Sequence, residues 1–218
     1  MPASAKAPLL ILGATSGIGA AATTEALKRG LPVRAFARSA GDMAHAVGLT
    51  PFPGDATDPD DLAAALEGVR AVIYALGIPE RLAMLWERET LFSDSTRILL
   101  PAMEAAGVRR LVAVTGFGAG RSRSALSSVE RLAQKAVLGK PYADKDRQEN
   151  MILDSPLDWT IVRPVILTNG GISRRMRVLR DSRQWRNGLV SRAEVARYLV
   201  DAVEQDLDIR ADVVLTRM

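Results

Sequence analysis

A single α/β domain built on a doubly wound, mainly parallel sheet is predicted for this 218-residue chain. Three observations predict it. Strand-like apolar runs alternate with helix-like stretches of about 10 to 15 residues, the pattern of repeated βαβ units. The first of these runs passes directly into a glycine-rich turn that opens a helix, and the chain length suits one α/β unit.

The elements follow in order. PLLILG (8–13) reads as a short buried strand, and residues 17–30 carry helical spacing that ends on Gly30, a plausible terminator. LPVRAFAR (31–38) is a second strand, and a short third strand is expected near Thr50 to Pro53. ATDPDDLAAALEG (56–68) is a capped helix, with Asp58 before Pro59 at its first position and Gly68 at its end. VRAVIYALG (69–77) is a fourth strand, followed by a helix over 88–107 that stops at Gly107. VRRLVAVTGFG (108–118) is a fifth strand, and 122–153 is mostly helical, interrupted by Gly139 and Pro141. LDWTIVRP (157–164) is a sixth strand, SRAEVARYLVDAVEQ (191–205) a helix capped by Ser191, and ADVVLT (211–216) a seventh strand. Right-handed crossovers then give about seven strands in the order 3-2-1-4-5-6-7, with helices on both faces. Residues 168–190 are the least regular stretch and are expected as a flap over the site.

Composition excludes several chemistries. The chain is 48% hydrophobic and 25% charged, ordinary for a packed globular protein. It has no cysteine, which removes disulfides, thiolate catalysis and cysteine-ligated zinc. Its one histidine, His45, has no partner histidine, so neither a histidine metal site nor a histidine triad is expected. No apolar run reaches the length of a membrane span, and the N-terminal apolar stretch is too short for a signal peptide, so a cytoplasmic protein is expected. The net charge of +4 suits an anionic ligand without specifying one. The basic stretch 173–186 reads first as a solvated segment, with a share in a phosphate-bearing ligand as the alternative; no nucleic-acid motif accompanies it.

The chemistry-bearing motif is LLILGATSGIGAA (9–21). Gly13 permits the tight strand-to-helix turn, Gly17 lets the backbone approach a diphosphate, and Gly19 lets the helix pack close to the sheet. Thr15, Ser16 and Ile18 complete the turn, and the bare N–H groups of the helix start attract phosphate. A glycine triplet in strand–turn–helix context is the mark of a Rossmann-type dinucleotide site. NAD-preferring sites place an acid at the end of the second strand; here that strand ends in Arg38 and Ser39, which favours the 2′-phosphate of NADP while leaving NAD open.

On these residues the chain resembles the short-chain dehydrogenase/reductase superfamily, and within it the small atypical NAD(P)H-binding members that include NmrA-like proteins and flavin (biliverdin B) reductases. GATSGIG resembles the phosphate turn, and PGDATDPDDLAAALEGVRAVIYALG the following segment. By that resemblance Asp55 and Ala56 flank the adenine, and Ala75, Leu76 and Gly77 line the adenosine. LVAVTGFGAG resembles the fifth strand, with Thr115 where the family usually has serine. KDRQENMILDSPLDWTIVRP resembles the segment that carries the family's lysine, so Lys145 is expected at the nicotinamide ribose and Pro164, Val165 and Ile166 at the nicotinamide. The departure lies in the Tyr-x-x-x-Lys pair: four residues before Lys145 stands Pro141, and Tyr142 is one position off, which on a helix turns the side chain by about 100°. Tyr142 as proton donor therefore depends on where the helix begins. Thr115 is a candidate for orienting substrate, and Arg163 is expected in a structural pair with Glu149 or Asp158.

Two functions follow. One is an NADP(H)-dependent reductase passing hydride to a small carbonyl or conjugated acceptor such as a flavin, quinone or enone. The other is a non-catalytic NADP(H)-binding redox sensor. Either has a small-molecule ligand, no nucleic acid or membrane partner, and a monomeric or homodimeric state.

Overall fold

The computed structural model describes residues 7–77, 90–126, 142–173 and 175–217. Within them the elements run β1 (Leu9–Leu12), α1 (Gly17–Lys28), β2 (Val33–Ala37), β3 (Leu49–Pro53), α2 (Pro59–Leu66), β4 (Ala71–Tyr74), α3 (Leu91–Ala105), β5 (Arg110–Val114), a helix α4 covering 142–154, β6 (Asp158–Pro164), β7 (Ile166–Thr168), β8 (Met176–Leu179), β9 (Leu189–Ser191), α5 (Arg192–Glu204) and β10 (Ala211–Arg217). The expected break at Gly139 and Pro141, and the start of the helix predicted from 88, lie outside the described residues.

Alternation along β1 explains the two helical layers. Leu9 and Ile11 pack with Ala22 and Ala26 of α1 and with Val195, Leu199 and Val203 of α5. Leu10 and Leu12 face the other way, with Leu62 and Leu66 of α2, Phe92, Leu99 and Met103 of α3, and Ile152 of α4. Successive strand residues point to opposite faces, so a strand apolar at every position is covered on both. All four β1 side chains are buried. Arg29 fastens the α1–α5 layer, reaching Asp201 at 2.7 Å and Glu204 at 3.1 Å while paired with Glu25.

The main sheet has eight strands in the order β3-β2-β1-β4-β5-β6-β10-β8. Its first seven follow the predicted order, with β10 as the seventh strand, all parallel. The addition is β8, antiparallel to β10 with Leu179 opposite Val214 and Val178 opposite Leu215. Without it, a strand whose central five residues are buried would form the sheet edge. The stretch expected to be an irregular flap thus supplies a sheet strand, and its end, β9, pairs with β7 in a small parallel ribbon.

Helix starts follow from local chemistry. Asp58 accepts hydrogen bonds from the Asp60 and Asp61 amides, with Pro59 opening α2. Ser191 and Glu194 form a reciprocal capping box on α5. The N-terminus of α3 is capped from another helix: buried Asp144 of α4 accepts the amides of Phe92 and Ser93 at 2.8 and 3.3 Å. No helix among the described residues is long and apolar enough to cross a membrane.

Candidate cofactor and active site

Strand order reverses between β1 and β4, so a crevice opens beyond their C-terminal ends, where ligands of such sheets bind. The glycine turn lies there. Gly13 has φ +79°, and a Cβ on it would stand 2.6 Å from the Ala75 carbonyl oxygen. A Cβ on Gly19 would stand 2.1 Å from the Gly13 carbonyl oxygen. Gly17 has φ +55° and no neighbour within 4 Å of its missing Cβ, so it faces open space. Ser16 precedes α1 with no side-chain cap, and the first turn holds no acid. The opening amides are therefore neither satisfied by a cap nor opposed by a carboxylate, which fits them to a diphosphate. Ile18 is half-buried against the core behind them.

A second group forms the rim of this crevice. The Ser39 hydroxyl donates to the Thr15 hydroxyl at 3.3 Å, and Arg38 and Ser39 are exposed where β2 ends. Asp55 lies within electrostatic reach of Arg38; its carboxyl is held below the usual range, first by the amide and hydroxyl of Thr57 and last by that guanidinium. Ala56 is buried beside it. At the end of β4, Ala75 is buried with its amide on Leu12, Leu76 is half-buried, and Gly77 is exposed.

The third group stands beyond β5. Tyr142, the first described residue of α4, and Lys145 are one turn apart on the same face. A Cβ built on Gly116 would lie 3.1 Å from the Tyr142 hydroxyl oxygen and 3.7 Å from Lys145 Nζ, so both polar ends converge on that glycine. The three-residue spacing thus brings the tyrosine to the lysine despite the offset. Lys145 Nζ lies 4.9 Å from the centre of the Phe92 ring and 6.0 Å from that of Tyr142, and donates to the Thr115 carbonyl at 2.5 Å. Burial pulls its pKa down to about 8 against the opposing charges of Glu149 and Asp144.

Thr115 differs from expectation. Its hydroxyl is buried and donates to Glu149 Oε1 at 2.7 Å, so what it turns toward Lys145 is its carbonyl. Glu149 in turn grips fully buried Arg163 through Nε at 3.0 Å and Nη2 at 2.7 Å. The second partner of Arg163 is Asp212 on β10, not Asp158, which pairs with Arg109 at the start of β6. Asp212 also pairs with Arg121, and the Trp185 ring covers Arg163 at 5.1 Å. Sequence reading missed Gly116, Phe92, Asp144 and Asp212. Each acts through a tertiary neighbour, and only Gly116, a glycine directly after the strand-end threonine, left a local signal.

Of the three residues expected at the nicotinamide, Pro164 and Val165 are buried. The Val165 amide donates to Leu215 and the Pro164 carbonyl accepts from Phe117. Ile166 is 57% exposed and sits opposite Leu189, 51% exposed, in the β7–β9 ribbon. A hollow of about 280 Å³ bordered by Met103, Arg109 and Leu157 lies at the opposite end of the sheet and takes no part in this site.

The sequence pattern of the NAD(P)H-binding family matches residues 13–206, from the first glycine of the turn to beyond α5. The chain belongs to the NAD(P)H-binding family. Among solved structures it is similar to ChuY, an anaerobillin reductase from Escherichia coli O157:H7, with TM-score 0.80 and 27% identity over 96% of this chain and 97% of that one. A short-chain dehydrogenase/reductase from Veillonella parvula, determined in complex with NADP, has the same fold: TM-score 0.79, 18% identity, 96% of this chain and 94% of that one. Sterol demethylase protein B of Methylococcus capsulatus is 32% identical over 170 residues, 72% of this chain; the chain spans about half the length of that curated relative. As a family member the chain has an NAD(P)H site, and the residues that suit it are the bare amides after Gly13 and the open face at Gly17.

Proposed function

We propose that this protein is an NADPH-dependent reductase that delivers hydride to a flat, conjugated acceptor. The observation that carries the reading is the convergence of Tyr142 and Lys145 on Gly116. A tyrosine beside a cation is the usual means by which such a site moves a proton at neutral pH.

NADPH, when bound, supplies the hydride. The amides opening α1 hold its diphosphate, with Ser16, Gly17, Ile18 and Gly19 at the contact. Arg38, with Ser39 and Thr15 beside it, holds the 2′-phosphate through charge-assisted bonds, which is the basis for preferring NADP over NAD. Asp55 and Ala56, with Ala75, Leu76 and Gly77, border the adenosine. Lys145 holds the ribose hydroxyls, and its charge lowers the cost of forming a tyrosinate at Tyr142, which gives its proton to the reduced acceptor. Pro164, Val165 and Ile166 border the nicotinamide.

Two features favour a conjugated acceptor over a simple ketone. The Thr115 hydroxyl is committed to Glu149, which takes the strand-end hydroxyl away from orienting a carbonyl. Exposed Ile166 and Leu189, adjacent across β7 and β9, offer an apolar surface suited to a ring system. The expected flap over 168–190 becomes in this reading a wall of the acceptor site.

The test is to mix the protein with NADPH and, in turn, FMN, a quinone and biliverdin, and to follow absorbance at about 340 nm. Sustained oxidation above background, strongly reduced in Tyr142→Phe or Lys145→Met, is expected for one of them. Tight NADPH binding with no turnover on any acceptor overturns the reductase in favour of a redox sensor.

A further inference from the structure

Lys145 and Glu149 stand four residues apart on α4 and both bond to Thr115, Lys145 to its carbonyl and Glu149 to its hydroxyl. We propose that Glu149 is a positioning residue: by holding the Thr115 hydroxyl it fixes the Thr115–Gly116 peptide, whose carbonyl in turn fixes the Lys145 amine. This rests on the reading above that Lys145 faces bound NADPH.

The geometry makes Glu149 the fixed point. It is 1% exposed, and its carboxylate is held on one side by two Arg163 nitrogens. On another side the chain gives way to it, since a Cβ on Gly120 would stand 1.9 Å from Glu149 Oε2. Arg163 cannot move either, being tied to Asp212 and covered by Trp185. Lys145, by contrast, is a point charge on a flexible four-carbon stem, with no fork geometry of its own to set its direction. The two bonds to one residue, from side chains one turn apart on one helix face, fix the Thr115–Gly116 peptide relative to α4. The Thr115 amide, bonded to the Val162 carbonyl, holds the remaining corner of the residue.

A double-mutant cycle decides it, run on NADPH affinity by fluorescence titration and, with any acceptor that turns over, on kcat/KM. Thr115→Val removes the hydroxyl while leaving the Glu149–Arg163 pair. It is expected to weaken NADPH binding about threefold to tenfold when Lys145 is present, and by less than about twofold in Lys145→Met. Thr115→Ser keeps the hydroxyl and is expected to behave as the parent. If Thr115→Val does not fold, Thr115→Ala makes the same deletion. Equal losses in both lysine backgrounds, or no loss with Lys145 present, overturn the proposal. Should the parent bind NADPH yet reduce nothing, the reductase reading falls while the affinity cycle still decides the role of Glu149.

Discussion

Gly19 lies against Gly13 so closely that a Cβ on Gly19 would stand 2.1 Å from the Gly13 carbonyl oxygen. Backbone at that distance cannot yield as a flexible side chain can. Gly19→Ala is therefore expected to pry α1 from the turn and cost about 2 kcal/mol or more of stability, seen as a lowered denaturant midpoint. Gly17→Ala meets no atom within 4 Å but imposes a side chain at φ +55°. It should cost only about 1–2 kcal/mol yet weaken NADPH binding more than Gly19→Ala does in the molecules that remain folded. Titration of both variants at a temperature where each is folded separates packing from ligand approach.

In the proposed reading Arg38 carries the preference for NADP. Its exposed guanidinium ends β2 beside Ser39 and Thr15, so Arg38→Ala removes a charge-assisted contact with little effect on the fold. The expected loss is about 1.5–3 kcal/mol for NADP and much less for NAD. Calorimetry with both cofactors checks it; a parent protein that binds them equally contradicts the assignment.

What was legible in the sequence was local. Gly13, Gly17 and Gly19 announced the turn because φ and space dictate the residue type there, and Asp58-Pro59 announced α2 because capping is a short-range bond. Crossover handedness then ordered the seven parallel strands. β8 was not legible: it is four residues long, contains Arg177, and owes its existence to β10 some 35 residues later. The Arg163–Glu149 pair follows the expectation, but the second partner of Arg163 was not legible, for a related reason. Asp158 is close in sequence but stands at the other end of β6, whereas the parallel register with β10 brings Asp212 alongside. Ser191 was recognised as a cap, but its reciprocal partner Glu194, three residues on, also carried a readable signal.

Thr115 shows the remaining gap in the site. A threonine at a strand end gives no clue to which way its hydroxyl turns, and burial of Glu149 and Arg163 behind it, which decides the matter, is set by three separate elements. Tyr142 and Lys145 illustrate the reverse: a spacing that breaks the family's motif still delivers both side chains to Gly116, because neighbours three apart share a helix face as those four apart do.

Lys145 should impose a pH limb on catalysis. Burial holds its pKa at about 8, below the ordinary 10.5, with Glu149 and Asp144 opposing the fall. Below that pH the ammonium stands beside Tyr142; above it the charge that favours tyrosinate is lost. The rate of acceptor reduction is expected to fall as pH rises through about 8, and Lys145→Met should lack that limb. The same group acts on stability with the opposite sign. Between about 8 and 10.5 the unfolded chain still holds a proton the folded one has shed, so this contribution grows with pH.

Glu194 contributes to stability on the acid side. Burial alone would raise its pKa, but Ser173 and Ser191 donate through both amide and hydroxyl and Arg217 through Nε, so it falls from 4.5 to about 2. A carboxylate with a depressed pKa stabilises the fold above its unfolded value and loses that contribution as pH drops through the folded one. The depression corresponds to ~3 kcal/mol, since one unit is about 1.4 kcal/mol and the side chain is fully buried. The loss should appear between about pH 4.5 and 2. Glu194→Gln keeps the shape of the α5 cap but not the charge opposite Arg217. It should be less stable at neutral pH, and its stability should change less over that acid interval. Denaturant midpoints measured across the interval for both proteins check this, and parallel curves would show that the bonds converging on Glu194 do not set the acid stability of the fold.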